Sequence, residues 1–319
     1  MNQPQPLVEL VRGGMREGVH FGSVVVLAAD GSVERAIGEV VAPMYPRSTV
    51  KPAQALAMLR AGLELSDEAD LALAAASHNG EPEHAERAAK VLRAHGLDES
   101  ALQCPPDWPG HEPARLARIA DGSGRQRLTM NCSGKHAAML ATCVQRGWST
   151  ADYLDPEHPL QQGVRAAIAE LSGAQITGST VDGCGAPLFA ISLTGLARLF
   201  RGLVTGDEQA RRVADAMRAH PWLVGGTDRE DTELMRAVPG LLSKSGAEGV
   251  QALALPDGRA VAAKVTDGAA RARLPIAVGA LRELGVSGDG AALDRFAEEP
   301  LLGGGEPVGS VRLVPGALG

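Results

Sequence analysis

Apolar positions follow strand-like patterns near both ends of the chain and helical spacing between them. Residues 20–28 are apolar and β-branched, Asp30-Gly31 follows, and residues 32–41 continue the pattern. This order predicts an N-terminal β-hairpin with a tight Asp-Gly turn. Residues 250–254 and 259–265 surround a Pro-Asp-Gly turn signal and predict a second pair of strands.

The middle of the chain has the 3.6-residue apolar spacing of amphipathic helices. Ser66-Asp67-Glu68 is typical of a helix N-cap with first-turn acids, and Gly96 is typical of a helix end. Residues 103–113 are rich in Pro, Asp and Gly and predict an irregular surface segment. The predicted helices cover residues 53–63, 69–76, 83–95, 135–147, 160–171, 193–203, 208–220 and 270–284, and a last short strand is predicted at 309–313.

Strands at both ends with helices between them favour an α+β fold. We predict one antiparallel sheet, built from both chain ends and packed against a helical region. The 319 residues are assigned to a single domain, which is large enough to bury a sizeable core. The sheet is expected to come from about residues 1–50 and 240–319, and the helical part from about 51–239.

The composition is more useful for excluding classes of function than for identifying the function. Hydrophobic residues make up 45% and charged residues 22%, while the net charge of -7 comes without any long run of Lys or Arg. Nucleic-acid binding is therefore disfavoured. We find no leader in which a basic segment is followed by an apolar one, and no apolar stretch long enough to span a membrane. We therefore expect a cytoplasmic protein without membrane association. Without an export signal, cysteines are expected as free thiols or metal ligands.

Ser48 and Lys51 form the first candidate catalytic pair. They are spaced i, i+3, which on a helix places their Cβ atoms roughly 5 to 6 Å apart on one face. A serine hydroxyl becomes a nucleophile when a base takes its proton, and a lysine whose charged form is disfavoured can be that base. A capping serine beside a surface lysine is the structural alternative, because such spacing recurs by chance.

Three further segments combine polar residues with glycines. Ser77-His78-Asn79-Gly80-Glu81 lies between two predicted helices, where it can be an N-cap, part of a site, or both. Asp182-Gly183-Cys184-Gly185 predicts a tight turn that presents a carboxylate and a thiol. Lys244-Ser245-Gly246 resembles the Lys-Thr-Gly strand element of penicillin-binding proteins and β-lactamases, which faces a Ser-x-x-Lys helix.

The segment Asn131-Cys132-Ser133-Gly134-Lys135-His136 has its own alternatives. It lacks the first glycine and the final Ser or Thr of a phosphate-binding P-loop. It can instead enter a helix with backbone N–H groups facing a cleft. Cys132 and His136 are candidate metal ligands, and a buried structural cysteine is the alternative.

Taken in order, these motifs resemble the zinc-containing, thermolabile, rhizobial-type L-asparaginase family. The resemblance spans about residues 48–267 and is carried by Ser48-Thr49-Val50-Lys51-Pro52, Ser77-His78, residues 131–136, Asp182-Gly183-Cys184 and Lys244-Ser245-Gly246-Ala247. It implies a fold like that of serine β-lactamases and glutaminases, a homodimer, and hydrolysis of L-asparagine. The chain departs from the family pattern at residues 80–82 and in a short C-terminus.

The resemblance also implies a set of site residues. Two Ser-Lys tandems are expected, Ser48 with Lys51 and Ser77 with Lys244. The other implied residues are Cys132, Lys135 and Cys184 around Zn²⁺, Asp182 beside that cluster as a further catalytic residue, and Arg47, His78, His136 and Gly246 at the substrate. A lysine ligates only as the neutral amine, so zinc affinity should fall at low pH.

From these residues we expect acyl transfer through a covalent intermediate. Ser48 is the expected nucleophile and Lys51 its base, while Ser77 and Lys244 relay protons. Zinc is expected to hold loops or substrate. The alternatives are a related serine amidohydrolase acting on glutamine or a β-lactam, and a non-enzymatic zinc-binding protein.

Overall fold

The computed structural model describes residues 3–319 and shows an α+β protein. Its strands are β1 (Gln5–Arg12), β2 (Met15–Leu27), β3 (Val33–Ile37), β4 (Pro43–Met44), β5 (Ser179–Val181), β6 (Pro187–Phe189), β7 (Ile191–Ser192), β8 (Leu242–Gly246), β9 (Val250–Ala254), β10 (Ala260–Val265), β11 (Glu298–Gly303) and β12 (Glu306–Leu313).

Most helices lie between β4 and β8 along the chain. They are α1 (Lys51–Arg60), α2 (Glu68–Ala74), α3 (Pro82–Ala94), α4 (Glu112–Ala120), α5 (Ser133–Arg146), α6 (Pro159–Ser172), α7 (Leu193–Thr205), α8 (Glu208–Ala219), α9 (Pro221–Val224), α10 (Glu230–Ala237), α11 (Arg273–Glu283) and α12 (Gly290–Ala297). Within the described residues, no helix is both long and apolar enough to cross a bilayer.

The main sheet is antiparallel and joins the two ends of the chain. Its strands run in the order β11-β12-β1-β2-β10-β9-β8, and β3 also pairs with β2. Val24 of β2 lies opposite Ala263 of β10, and Val8 of β1 lies opposite Leu313 of β12. The predicted α+β class, with one antiparallel sheet from both chain ends, is confirmed.

Alternation along β2 divides the core into two clusters. Val25 and Leu27 pack with Leu56 of α1 in the helical-side core, while Val24 packs with Ile276 of α11 in the α11-side core. This division follows from the period of two in a strand, which sends successive side chains to opposite faces. Helices therefore cover both faces of the sheet, and β8 lies at its edge beside the helical region.

The predicted hairpin and most predicted helices are present, and the differences have local causes. β3 ends at Ile37 because Gly38 turns away with φ of 71°, where a Cβ would lie 2.5 Å from Ser23 Oγ. The segment predicted as irregular already enters α4 at Glu112, because Pro113 fits a first helical turn that needs no N–H partner. Within the predicted helix 270–284, the first turn is a 3₁₀ turn before α11.

Candidate active site

Ser48 lies in a single 3₁₀ turn, Arg47–Val50, that runs directly into α1 at Lys51. Arg47 has φ of 54°, in the left-handed region that non-glycine residues rarely adopt. Such a backbone persists only where surrounding contacts hold it, and functional sites are where it is often found. A Cβ on Gly246 of β8 would lie 2.9 Å from the Pro46 carbonyl oxygen. Glycine therefore allows the sheet edge to approach the turn that carries Ser48.

Lys51 is buried at the start of α1, and three groups lie within hydrogen-bond distance of its Nζ. The distances are 2.9 Å to Ser77 Oγ and 3.0 Å to Cys132 Sγ, and the third group is the Ala76 carbonyl. Across residues 3–319 no carboxylate forms an ion pair with Lys51, whereas Lys244 has one. The sequence paired Lys51 with Ser48, but the hydrogen bond of Lys51 goes to Ser77.

Three parts of the chain meet at Ser77, just after α2. The Ser77 N–H donates to the Val224 carbonyl at 3.0 Å, and the His78 N–H donates to the Asn131 carbonyl at 3.1 Å. α5 approaches closely because a Cβ on Gly134 would lie 2.7 Å from a carbonyl oxygen of α2. The Ser77 hydroxyl is thereby held against Lys51.

Lys244 forms a buried ion pair with Asp231, a residue that the sequence analysis missed. Lys244 Nζ donates to Asp231 Oδ2 at 2.9 Å, and the two side chains are 0% and 2% exposed. The carboxylate also accepts from Ser243 Oγ at 2.9 Å, and from the Ser245 N–H and hydroxyl at 2.9 and 2.8 Å. In the sequence, Glu230-Asp231 has the form of ordinary first-turn helix acids, so it gave no signal.

The Lys244–Asp231 pair is ionised at neutral pH. Burial lowers the pKa of Lys244 to about 8, although Asp231 opposes that shift, and the charge of Arg229 adds to it. Burial alone would raise the pKa of Asp231, but Lys244 and hydrogen bonds from Ser245 outweigh burial and lower it. Lys244 is therefore an ammonium held by a carboxylate.

The predicted residue Asp182 links two turns of the site. Its Oδ1 accepts from Arg47 Nε at 2.8 Å, which ties the Ser48 turn to the turn between β5 and β6. Within that turn the Gly185 N–H donates to the Asp182 carbonyl at 2.9 Å, and Gly185 has φ of 89°. Cys184 lies in the same turn, so the ion pair also fixes the position of that thiol.

Cys132, Lys135 and Cys184 come together between the start of α5 and this turn. Lys135 Nζ lies 3.1 Å from Cys184 Sγ, and all three side chains are buried. A hydrogen bond from the Cys132 thiol lowers the pKa of Cys184 and raises that of Cys132 itself. Burial opposes a charge on Lys135, but the two sulfur atoms outweigh burial and raise its pKa.

The donor atoms of this cluster fit a zinc ion. Zinc prefers thiolate and nitrogen ligands, and this cluster supplies both from buried side chains. His136 Nε2 is buried with no hydrogen-bond partner in the described part of the chain. No group of three His, Cys, Asp or Glu side chains within residues 3–319 is arranged to hold a metal. A zinc site here therefore depends on Lys135.

The two remaining cysteines lie apart from these hydrogen bonds. All four cysteines are free and buried, as expected for free thiols. Burial raises the pKa of Cys104 to about 11 and that of Cys143 to about 11. Both are therefore neutral thiols at physiological pH.

The two predicted substrate-binding histidines are buried and hydrogen-bonded within the protein. His78 Nδ1 accepts from the Gly80 N–H at 3.0 Å, which assigns the proton to Nε2, 3.1 Å from Ser133 Oγ. Burial lowers the pKa of His78 well below its usual value, so the ring is neutral. His136 Nδ1 lies 2.7 Å from the Tyr153 hydroxyl. Contact of either ring with substrate stays a prediction.

Several solved structures share a similar overall shape at low sequence identity. A structure titled "Mglu in its native form" matches with a TM-score of 0.46 and 13% identity over 83% of this chain and 64% of that chain. A β-lactamase from Mycobacterium bovis matches with a TM-score of 0.41 and 16% identity over 82% of this chain and 94% of that chain. Scores and identities this low carry no argument about activity.

The sequence itself gives the decisive comparison. No curated protein matches the chain. The profile of the family described as L-asparaginase II matches residues 8–313, nearly the whole chain. The asparaginase resemblance predicted from the motifs is thus confirmed at the level of the family. This chain belongs to the L-asparaginase II family.

Proposed function

We propose that the protein hydrolyses L-asparagine to L-aspartate and ammonia by acyl transfer to a serine. Membership of the L-asparaginase II family supports the substrate and the reaction. The observation that carries the mechanism is the 2.9 Å contact between Lys51 Nζ and Ser77 Oγ. A serine hydroxyl within hydrogen-bond reach of a potential base is the arrangement that nucleophilic catalysis requires.

In the first step, Ser48 Oγ attacks the side-chain amide carbon of asparagine. The Ser48 proton passes to Ser77, and the Ser77 proton passes to Lys51 Nζ, which becomes an ammonium. Ser48 is partly exposed, and its hydroxyl has no partner among the described residues, while Ser77 is 7% exposed beside the base. These positions favour Ser48 as the nucleophile and Ser77 as the proton relay.

In the second step, the tetrahedral intermediate loses its nitrogen. The proton on Lys51 returns through Ser77 to the leaving group, so that ammonia departs and an aspartyl ester remains on Ser48. Water then attacks the ester carbon and gives its proton to Lys51. The ester bond breaks, and the Ser48 oxygen recovers that proton as aspartate leaves. One water is consumed for each amide cleaved.

Lys244 has a different role in this scheme. As an ammonium fixed by Asp231, it supplies positive charge that is already oriented before the reaction begins. Such preorganised charge stabilises the negative oxygen of a tetrahedral intermediate without a cost of reorganisation. We therefore assign Lys244 to electrostatic stabilisation, and the first acceptance of a proton to Lys51.

We also propose that Cys132, Lys135 and Cys184 hold Zn²⁺. When bound, the ion would join the start of α5 to the 182–185 turn and would supply a fixed positive charge there. The contact from Lys51 to Cys132 Sγ, 3.0 Å long, connects this cluster to the proposed base. The serines and lysines already supply a nucleophile and a proton acceptor, so the zinc site is assigned to positioning.

Parallel assays of L-asparagine and L-glutamine test the proposed function. We expect ammonia and aspartate in equal amounts from asparagine, and a lower kcat/KM with glutamine. Ser100→Ala, at an exposed surface serine, is the control for handling and should match the wild type. A preference for glutamine would favour the glutaminase alternative, and release of ammonia from neither substrate would contradict the proposal.

A further inference from the structure

A guanidinium group with no acidic partner lies beside the Ser77 loop. Arg229 immediately precedes α10, and its Nη1 donates to Asn79 Oδ1 at 3.0 Å. Asn79 is two residues beyond Ser77 and is itself fixed, because its Nδ2 donates to the Thr227 carbonyl at 2.9 Å. Within residues 3–319, no Asp or Glu oxygen lies within the 4.0 Å ion-pair distance of Arg229.

The loop that carries Arg229 is held rigidly against the Ser77 loop. The Thr227 N–H and hydroxyl both donate to the Glu81 carboxylate at 2.8 Å. A Cβ on Gly226 would lie 2.8 Å from Asn79 Cβ, so the two loops are in direct contact. The guanidinium is therefore oriented before any ligand arrives, which reduces the entropy lost on binding.

The other arginines of this region have acidic partners. Arg47 pairs with Asp182 at 2.8 Å, and Arg273 pairs with Glu230 at 2.5 Å. The charge of Arg229 instead acts on groups of the site, because it contributes to lowering the pKa of both His78 and Lys244. A partly exposed cation in these surroundings favours the binding of an anion.

We infer that Arg229 binds the α-carboxylate of the substrate amino acid. The inference rests on the proposed function, because asparagine offers a carboxylate for recognition and a separate carboxamide for attack by Ser48. The contact with Asn79 involves Nη1, so the other donors of the fork remain for the two carboxylate oxygens.

This assignment defines the substrate class as free amino acids. An asparagine residue inside a peptide has its α-carboxyl group in an amide bond, which carries no charge for Arg229 to bind. The same holds for L-asparaginamide, in which a neutral α-amide replaces the carboxylate. Both compounds retain the side-chain amide that reacts.

The test compares L-asparagine with L-asparaginamide in four proteins: wild type, Arg229→Gln, Arg229→Lys and Arg165→Gln. Arg165 is exposed on α6 and serves as a control that loses the same charge. Loss of a hydrogen-bonded ion contact predicts a rise of about 100-fold in KM for asparagine in Arg229→Gln. Its kcat/KM for asparaginamide, measured as isoasparagine formed, should change less than about 3-fold. Arg229→Lys should be intermediate, and Arg165→Gln should match the wild type.

Two outcomes would overturn the inference. One is an unchanged KM for asparagine in Arg229→Gln, and the other is an equal loss for both substrates, which indicates a structural role. If Arg229→Gln does not fold, an unchanged KM in Arg229→Lys overturns it as well. If the wild type hydrolyses neither substrate, the proposed function fails instead. Calorimetric binding of L-aspartate then decides, because Arg229→Gln should bind about 100-fold more weakly and equal binding overturns the inference.

Discussion

At the residue scale, the site contains two buried lysines that differ in what they touch. Lys51 Nζ contacts a hydroxyl, a carbonyl and a thiol, while Lys244 donates to the Asp231 carboxylate and to the Ser245 carbonyl. A carboxylate partner stabilises an ammonium, and neutral acceptors do so less strongly. This difference is why we assign proton acceptance to Lys51 and fixed charge to Lys244.

Asp231→Asn tests the role of Lys244 through the pH profile. The pKa of Lys244 is about 8, lowered by burial and by the charge of Arg229, and raised by Asp231. If the ammonium is needed, kcat/KM falls as pH rises through that value. Removal of the carboxylate lowers the pKa further, so the alkaline limb should move to lower pH. The profile is measured from pH 6 to 10 (roughly two units on either side of that pKa).

Two further observations complete that test. Asp231→Ala should also lower the free energy of unfolding by about 3 to 5 kcal/mol, because it leaves a buried charge unpaired. Ser100→Ala is expected to keep the wild-type profile. An alkaline limb that stays in place in Asp231→Asn would remove Lys244 from the mechanism.

The proposed zinc ligands are tested by metal content as well as activity. We expect about one zinc per chain in the wild type, and a loss of most zinc in Cys184→Ser, because the cluster has few donors. Cys143→Ala removes a buried thiol elsewhere and should keep its zinc. Content is measured by elemental analysis after dialysis. Equal zinc in both variants would place the ion elsewhere in the protein.

Much of the site could be predicted from local motifs, and the rest depends on long-range contacts. Ser48, Ser77 and Cys184 stand in short segments whose residue types already indicate chemistry. The partners of the lysines are different, since Asp231 is thirteen positions from Lys244 and Ser77 is twenty-six from Lys51. Only the packing of β8 against α10, and of α1 against the end of α2, decides these pairs.

At the element scale, the Ser77 loop is supported by a stack of rings. His78 and His84 have ring centroids 4.8 Å apart, and His84 stacks on Trp222 at 4.2 Å. The stack joins α3 to α9, whose Val224 carbonyl accepts from the Ser77 N–H. Neutral rings suit this buried position, because protonation would place charge between packed aromatic faces.

Acid should weaken this stack in a predictable direction. Burial lowers the pKa of both His78 and His84, so below about pH 6.5 the unfolded chain takes up protons that the folded chain does not. The free energy of unfolding should therefore fall with decreasing pH, by up to about 1.4 kcal/mol per pH unit per histidine.

Denaturant unfolding of wild type and His84→Phe measures this effect. Phenylalanine keeps an aromatic face for Trp222 but does not titrate, so the slope between pH 6.5 and 5.5 should be smaller (about one histidine's contribution). Equal slopes in the two proteins would show that His84 does not resist protonation in the folded state.

A buried face helped prediction but did not ensure it, since α7 was predicted while β1 and α10, which also bury residues, were not. The predicted helix 193–203 matches α7, whose apolar positions are buried along one side. α4 was missed because none of its residues is buried, and Leu116 and Ile119 are 55% and 53% exposed. β11 is also mostly exposed, so its sequence lacks the alternation that marks a strand.

At the scale of the whole molecule, one sheet separates the two cores. The helical-side core and the α11-side core are formed by alternate residues of the same strands, such as Val25 and Val24 of β2. Loss of the helices on one face would expose every second side chain of strands that also carry the other core. This sharing of strands leads us to expect a single cooperative unit, and the single domain stays a prediction.

Leu7→Ala tests that cooperativity from a distance. Leu7 is fully buried in the α11-side core, and its truncation should cost about 2 to 5 kcal/mol. All three tryptophans lie between residues 108 and 222, in the helical part. Their fluorescence transition should nevertheless move with the circular-dichroism transition in Leu7→Ala. A fluorescence transition that stays at its wild-type position would indicate two independently folding units.

The steady rate of ammonia release from L-asparagine by Ser48→Ala and Ser77→Ala tests the central claim most directly. Loss of the nucleophile should lower kcat by roughly 1,000-fold or more. Loss of the relay should lower it by about 100- to 10,000-fold. The account predicts that the double variant is no slower than Ser48→Ala alone, because both serines act in one proton path. Ammonia release by the double variant at the wild-type rate would contradict it.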